Sequence, residues 1–232
     1  MLVFWDIDGT LLTTGRAGIF AWQDAFAEIT GVPVDLTDFD TAGIPDHGIA
    51  RRLLTQFAGV GDPEARQVSA LVSRYEDLLP AALGRRAGHV LPHVREILER
   101  LDAIPGTCSL LLTGNTERGA RAKLTHYALV AFFRGGGFSE RDDDRAAIAR
   151  TALERARAFG CAAHPGRTYV VGDTPHDVVG GRAIGARTIA VATGRHSTGD
   201  FAATGPWRTL PELPPADEFL ALLKEAEVPA DV

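Results

Sequence analysis

Apolar positions follow two different rhythms along the chain, and each rhythm predicts a different kind of element. The first run, Leu2–Trp5, is short and continuous and stops at acidic residues, which indicates a buried strand. Beginning at Ile19, apolar residues recur every three or four positions, a spacing typical of amphipathic helices. Because this spacing continues beyond a helix-start signal at Asp46, we expect residues 15–88 to be helical and without strands.

Beyond residue 88, short apolar runs alternate with stretches of helical spacing. Four such runs predict strands: Cys108–Leu112, Val130–Phe133, Thr168–Val171 and Thr188–Val191. The glycine-rich stretch 135–137 is interpreted as a connecting loop, and Asp142–Asp144 as the start of a long helix to about Phe159. Strands that alternate with helices form a parallel sheet that is covered on both faces.

The order of these elements predicts the domain organisation. We expect an α/β protein with a doubly wound parallel sheet, formed by residues 1–14 and 89–232. Residues 15–88 interrupt the alternation of strands and helices, and we interpret them as an all-helical cap inserted after the first strand.

Composition narrows the classes of protein and partner. With 232 residues, 45% hydrophobic and 23% charged, the chain is typical of a globular protein with room for an insertion. The net charge of −6 argues against nucleic acid or an anionic membrane surface as a partner. Asp6 interrupts the N-terminal apolar run, and no apolar run is long enough to span a membrane. Cys108 and Cys161 are interpreted as buried free thiols, which favours a cytoplasmic location.

Polar residues follow three predicted strands at the point where each strand ends. Asp6 and Asp8 follow the first strand, Thr113-Gly114-Asn115 follows a second, and Asp173 follows a third. These residues should converge, because the carboxyl ends of parallel strands meet at one edge of the sheet. Clustered carboxylates suit Mg²⁺, and a hydroxyl beside a helix start suits an anion such as phosphate. Lys123 can add the fixed positive charge that phosphoryl transfer requires.

Three segments together resemble the signatures of the haloacid dehalogenase-like (HAD) hydrolase superfamily. They are DIDGT at 6–10, LLLTGN at 110–115 and VVGDTPHD at 170–177, and their order and spacing match. The predicted core resembles the superfamily along nearly its whole length. The helical insertion resembles the superfamily's cap that follows the first strand, and the layout is that of phosphoglycolate phosphatase-like members.

The resemblance implies roles for the acidic residues. Asp6 resembles the nucleophile that forms an aspartyl-phosphate, and Asp8 resembles the general acid and base. The implied Mg²⁺ ligands are Asp6, the backbone carbonyl of Asp8, and Asp173. Asp177 would orient a metal-bound water or a metal ligand.

The resemblance also implies a phosphate-binding group. Thr113 and the amides of Gly114 and Asn115 would bind the phosphoryl oxygens. Many members carry a lysine in a Lys-Pro pair before the last catalytic strand, and the corresponding stretch here contains none. By elimination we assign this role to Lys123, whereas the C-terminal Lys224 is interpreted as a surface residue.

The superfamily includes several reactions, and residue types help to choose among them. Its dehalogenases lack the second acid, and its phosphonate-cleaving members use a cap lysine, whereas residues 15–88 contain no lysine. We therefore expect an Mg²⁺-dependent phosphatase acting on a small phosphorylated metabolite, which cap residues such as His47 or Arg51 would select. The alternatives are a sugar-phosphate mutase, which shares the paired acids, and a catalytically retired protein that binds a phosphorylated metabolite.

Overall fold

The computed structural model describes residues 1–141 and 144–225. Its strands are β1 (Leu2–Trp5), β2 (Leu12–Thr13), β3 (His89–Val90), β4 (Cys108–Leu112), β5 (Gly136–Gly137), β6 (Thr168–Gly172), β7 (Arg187–Val191) and β8 (Arg208–Leu210). Its helices are α1 (Ala17–Thr30), α2 (Asp46–Phe57), α3 (Ala65–Leu83), α4 (Val94–Asp102), α5 (Glu117–His126), α6 (Arg145–Ala158), α7 (Pro175–Ala183) and α8 (Ala216–Glu225).

The central sheet has six strands in the order β5-β4-β1-β6-β7-β8, with parallel pairing throughout. Strand β1 lies in the middle, where Leu2 is opposite Cys108 on one side and Thr168 on the other. All four residues of β1 are buried, as expected for a strand with helices on both faces. The predicted doubly wound α/β fold is confirmed, and the carboxyl ends of β1, β4 and β6 lie side by side.

One edge strand differs from the prediction. Val130–Phe132 forms a 3₁₀ turn, and the edge strand is instead Gly136–Gly137, which was interpreted as a loop. A Cβ atom at Gly136 would lie 2.3 Å from the carbonyl oxygen of Leu111, so this strand approaches its neighbour too closely for a side chain. A strand built from glycines carries no apolar signal, and the signal at 130–133 came from residues that pack on the core from a turn.

Helices α1, α2 and α3 occupy the chain between two strands of a small antiparallel ribbon, β2 and β3. The helices share a hydrophobic cluster in which Trp22 stacks on Tyr75, with ring centroids 3.9 Å apart. Residues 15–88 contain helices and no strand, as predicted. The ribbon lies at the two predicted boundaries, and we retain the division into a core (1–14 and 89–232) and an inserted cap (15–88) as a proposal.

The structure shows how two of the predicted helices begin. Asp46 is the first residue of α2, but Pro45 precedes the helix as its N-cap, and the carboxylate of Asp46 bonds elsewhere. Helix α6 begins after Asp144, whose side chain accepts a hydrogen bond of 2.7 Å from the Ala147 amide. Asp142 and Asp143, the other residues of that predicted start, lie outside the described residues.

The prediction of free thiols is wrong. Cys108 and Cys161 form a disulfide, with their Cα atoms 6.1 Å apart. Cys108 opens β4 and Cys161 follows α6, so the sheet packing brings the two residues together across 53 positions. The argument for the cytoplasm that used free thiols therefore does not hold, and a cytoplasmic location stays a prediction. Within the described ranges, no helix has the length and apolar character needed to cross a membrane.

The disulfide should contribute measurably to stability. Closing a loop of this size restricts the unfolded chain and is worth about 4 kcal/mol in the chain-entropy account. We expect the double variant Cys108→Ala/Cys161→Ala to unfold at lower denaturant concentration than the oxidised protein, and reductant to remove most of that difference. Two reactive thiols in the unreduced, unfolded wild-type protein would contradict the assignment.

Candidate active site

Three strand ends meet at one edge of the sheet, as the sequence predicted. Asp6 follows β1, Thr113 follows β4 and Asp173 follows β6, and all three residues are buried. They line a cavity of about 380 Å³ together with side chains from α1, α2 and α3. The helical segment therefore covers the edge at which the polar residues converge.

Three buried carboxylates form the centre of this site. Asp6, Asp173 and Asp177 each place an oxygen within 4.8 Å of the others. Burial, followed by the charge of Asp177, raises the pKa of Asp6 to about 7. Burial and the charge of Asp6 raise the pKa of Asp173 well above its ordinary value. Hard oxygen ligands that repel one another in a buried site are a donor set that fits Mg²⁺.

Glycines allow the chain to close around Asp173. A Cβ atom at Gly9 would lie 2.3 Å from the Oδ2 atom of Asp173, and a Cβ atom at Gly194 would lie 1.8 Å from the same oxygen. Gly9 also has a φ angle of 82°, which favours glycine. The hydroxyl of Thr10 donates a hydrogen bond of 3.3 Å to the other oxygen of Asp173. The position of this carboxylate is therefore set by backbone on two sides.

A residue that sequence reasoning missed lies among these acids. Arg145, the first residue of α6, donates hydrogen bonds to Asp6 Oδ1 at 3.1 Å and to Asp177 Oδ1 at 2.5 Å. Burial lowers the pKa of its guanidinium, but the two carboxylates outweigh that effect and raise it above its ordinary value. Its Nε and Nη1 atoms have no hydrogen-bond partner among the described residues, and a Cβ atom at Gly114 would lie 3.3 Å from Nη1.

Both carboxylate oxygens of Asp177 accept hydrogen bonds. Oδ1 accepts from Arg145, and Oδ2 accepts from the amide and hydroxyl of Thr174 at 3.0 and 2.8 Å. The side chain therefore holds Arg145 on one side and caps α7 on the other, and its role in orienting a metal-bound water or a metal ligand stays a prediction.

Asp8 contacts Lys123 and Asn115 instead of Arg145. Lys123 Nζ donates to Asp8 Oδ2 at 2.6 Å and to Asn115 Oδ1 at 2.6 Å. The Asn115 amide nitrogen donates to the same Asp8 oxygen at 2.9 Å and to Thr113 Oγ1 at 2.8 Å. The cation that contacts Asp8 is therefore Lys123, whereas the cation beside Asp6 is Arg145. Asp8 is not part of the cluster of carboxylates formed by Asp6, Asp173 and Asp177, and the role of its backbone carbonyl as a metal ligand stays a prediction.

The predicted phosphate-binding residues form a turn that leads into α5. The Thr113 amide donates to the Gly137 carbonyl at 3.1 Å, and the Ser139 amide donates to the Asn115 carbonyl at 2.9 Å. Thr116 caps α5 by accepting from the Gly119 amide at 3.1 Å. The turn thus lies beside Asp6 at a helix N-terminus, where backbone N–H groups attract anions.

Asp46 is a second residue of the site that the sequence did not reveal as such. The residue is 4% exposed, and its Oδ2 atom accepts from the Thr116 amide at 2.8 Å. Burial raises its pKa to about 7, opposed chiefly by the positive charge of Lys123 and the hydrogen bond from Thr116. Asp8 and Glu76 add smaller repulsive contributions that also raise the pKa.

The residues named as possible metabolite selectors lie elsewhere. His47 contacts Ser139, and Arg51 donates to the Pro63 carbonyl at 2.8 Å. Neither side chain lines the described cavity. The cap side of the cavity is instead lined mainly by these residues: Arg16, Ile19, Trp22, Ile44, Asp46, Ile49 and Tyr75.

Comparisons with known proteins agree with this fold. Residues 145–215 match a family model described as HAD-hydrolase-like. A predicted phosphoglycolate phosphatase from Haemophilus somnus 129PT superimposes with a TM-score of 0.71 at 16% identity, covering 95% of this chain and 97% of that one. A protein assigned as β-phosphoglucomutase from Thermotoga maritima gives a TM-score of 0.62 at 20% identity, covering 97% and 98%. The resemblance to HAD-like hydrolases that the sequence indicated is confirmed.

A curated relative carries a different name. The tyrosine-protein kinase PtkA of Mycobacterium tuberculosis (strain ATCC 25618 / H37Rv) is 27% identical over 205 residues, which cover 86% of this chain. The match spans 64% of the length of that relative.

The buried carboxylate of Asp46 gives a prediction about pH. Its raised pKa means that the folded state holds a proton that the unfolded state releases between pH about 4 and about 7, so its contribution to stability falls as pH rises. Asp46→Asn should therefore gain stability relative to wild type between pH 5 and pH 8, by an amount on the order of 1–3 kcal/mol. Denaturant unfolding of the metal-free proteins measures the difference, and Asp40→Asn, at an exposed carboxylate, is the matched control. A difference that does not change with pH would contradict it.

Proposed function

We propose that the protein is an Mg²⁺-dependent phosphatase that hydrolyses small phosphomonoesters through a phosphorylated Asp6. The observation that carries the proposal is the position of Asp6, which belongs to the acidic cluster and lies beside both the turn at Thr113 and the guanidinium of Arg145. HAD-family phosphatases and phosphomutases share this fold, so the coarser class of phosphoryl-transfer enzyme has independent support.

Two acids divide the chemistry between them. An Asp6 oxygen attacks phosphorus, the bond from phosphorus to the substrate oxygen breaks, and Asp8 gives its proton to the leaving oxygen. Asp8 then takes a proton from a water molecule, which attacks the phosphorus and releases inorganic phosphate and the Asp6 carboxylate. Lys123 and Asn115 hold the Asp8 carboxylate by one oxygen, which leaves the other for the leaving group and the water.

The metal site is proposed on the same residues. Asp6, Asp173 and the backbone carbonyl of Asp8 would hold Mg²⁺, with Asp177 orienting Arg145 beside them. When bound, the ion supplies positive charge to the phosphoryl oxygens during both displacements.

The two cations have separate tasks in this proposal. Arg145 keeps Asp6 in place, and its Nη1 atom lies beside Gly114, where it can donate to a phosphoryl oxygen. Lys123 neutralises the charge on Asp8 and places the Asn115 side chain between Asp8 and Thr113. Thr113 and the amides of Gly114 and Asn115 complete the phosphate-binding group.

The covered cavity favours a small leaving group. Its volume of about 380 Å³ must hold the phosphoryl group as well as the rest of the substrate. Known pockets for whole small molecules occupy roughly 300–1,000 Å³, so this cavity is near the lower end. A small phosphorylated metabolite therefore fits the described cavity better than the side chain of a folded protein does.

The main experiment tests whether phosphate release requires both Mg²⁺ and the Asp6 carboxylate. Wild-type protein with Mg²⁺ should release phosphate from p-nitrophenyl phosphate and from members of a metabolite-phosphate panel, and chelation should abolish the release until Mg²⁺ is restored. Asp6→Asn should lose at least about 10³-fold in kcat, because a carboxamide is a poor nucleophile. Turnover by Asp6→Asn above about a tenth of the wild-type rate would contradict the covalent route.

Two further arms separate the alternatives. Conversion of one sugar phosphate into its isomer, without phosphate release, would indicate the mutase. Transfer from ATP to a tyrosine peptide would indicate the activity for which the mycobacterial relative is named. Metabolite binding without turnover in any arm would indicate a retired, phosphate-binding protein.

The separate roles proposed for Lys123 and Arg145 predict that replacing either one lowers kcat, whereas replacing a surface lysine does not. Lys123→Ala should lower kcat by about 10²-fold or more, since Asp8 loses its charged partner. Arg145→Lys should also be impaired, because lysine has no counterpart of Nη1, the atom that lies beside Gly114 while Nη2 bonds both carboxylates. Lys224→Ala, at an exposed position of α8, is the matched control and should retain wild-type kcat. Loss of activity in Lys224→Ala with normal activity in Lys123→Ala would contradict the assignment.

A further inference from the structure

The N-terminus of α2 rests directly on the phosphate-binding turn. The backbone N–H of Asp46 donates to the Gly114 carbonyl at 2.8 Å, and the carboxylate of Asp46 accepts from the Thr116 amide at 2.8 Å. One residue of the helical segment thus makes two hydrogen bonds to one turn of the sheet edge. Asp46 is 4% exposed, so water competes little for these bonds.

Close approach of the two backbones depends on Gly114. A Cβ atom at this position would lie 3.2 Å from the Cα atom of Pro45 and 3.3 Å from the carbonyl oxygen of Ile44. Both distances are tighter than ordinary contacts of a side chain, so Gly114 lets the start of α2 lie against the turn.

The two hydrogen bonds hold the two peptide groups on either side of Asn115. The Gly114 carbonyl and the Asn115 N–H belong to one planar peptide group, and the Asn115 carbonyl and the Thr116 N–H belong to the next. Asp46 therefore restrains both planes, and with them the direction in which the Asn115 side chain leaves the backbone. That side chain bonds Asp8, Thr113 and Lys123.

We propose that Asp46 is a positioning residue: by holding the peptide groups that flank Asn115, it aligns Asp8 and the phosphate-binding turn when the helical segment 15–88 is docked. Asp46 acts through Asn115 and does not itself take part in phosphoryl transfer. The inference rests on the proposed function for its kinetic consequence, but the arrangement of the turn can be measured by phosphate binding alone.

The test compares substitutions that keep or remove the acceptor. Asp46→Ala leaves the buried Thr116 amide without its acceptor and should lower kcat for p-nitrophenyl phosphate about tenfold or more. The affinity for inorganic phosphate, measured by calorimetry with Mg²⁺ present, should fall by a similar factor. Asp46→Asn keeps an acceptor oxygen at the same position and should stay within about threefold of wild type in both measurements.

A matched control separates this role from general docking of the helical segment. Asp40, in the same segment, accepts an exposed hydrogen bond of 3.2 Å from Arg195 of the core and does not contact the turn. Asp40→Ala should keep kcat and phosphate affinity within about twofold, because exposed ion pairs contribute little. Should Asp46→Ala fold poorly, Asp46→Ser replaces it, since serine is tolerated at a helix start but is too short to reach Thr116.

The outcomes either support or overturn the inference. Near wild-type kcat and phosphate affinity in the folded Ala or Ser variant would overturn it, and so would equal losses in Asp46→Ala and Asp40→Ala. An Asp46→Asn variant as impaired as Asp46→Ala would also overturn it, because the negative charge and not the hydrogen bond would then be what matters. If wild-type protein binds phosphate but hydrolyses nothing, the proposed function fails, and the phosphate affinities alone decide the role of Asp46.

Discussion

The site depends on burying several negative charges at one edge of a sheet. Carboxylates that lie a few ångströms apart in a buried environment repel one another, and each loses the hydration it would have in water. Asp6 and Asp173 show this in their raised pKa values. Arg145 offsets part of the repulsion, and the remaining negative charge is what a divalent cation would neutralise. The close backbone at Gly9 and Gly194 holds the carboxylates together despite their repulsion.

The acidic residues of this site are paired with two different cationic side chains. Arg145 bonds Asp6 and Asp177, whereas Lys123 bonds Asp8. A single cation shared by both acids would tie their protonation together. Separate cations suit the proposed mechanism, in which one acid is the nucleophile and the other transfers protons.

The sequence revealed those parts of the site that local pattern determines. Asp6, Asp8, Thr113 and Asp173 were predictable because an apolar strand that ends in polar residues has a fixed place in a parallel sheet. Arg145 was not predictable in this way. It is one of many arginines in the chain, and its partner Asp6 lies 139 positions away, so no short-range pattern marks it. Asp46 presented a helix-start signal, which is a common local use of aspartate and concealed its long-range bond to Thr116. The predictions for strand β5 and for the two cysteines were wrong for the same reason. Each feature is defined by a neighbour that is distant in sequence.

The disulfide has a mechanical consequence for the spacing of active-site groups. It joins the amino end of β4 to the chain just beyond the carboxyl end of α6, while Thr113 and Arg145 lie at the opposite ends of these elements. With five residues in β4 and 14 in α6, the two elements act as rods roughly 17 and 21 Å long. Rods joined near one end are restrained from sliding past each other, and the angle between them then strongly affects the separation of their free ends. A change of about 3° in that angle would move a free end by about 1 Å, given the length of the helix. The disulfide therefore adds a restraint on the distance between the Thr113 hydroxyl and the Arg145 guanidinium from the opposite end of the sheet, beside the hydrogen bonds that hold Arg145 on Asp6 and Asp177.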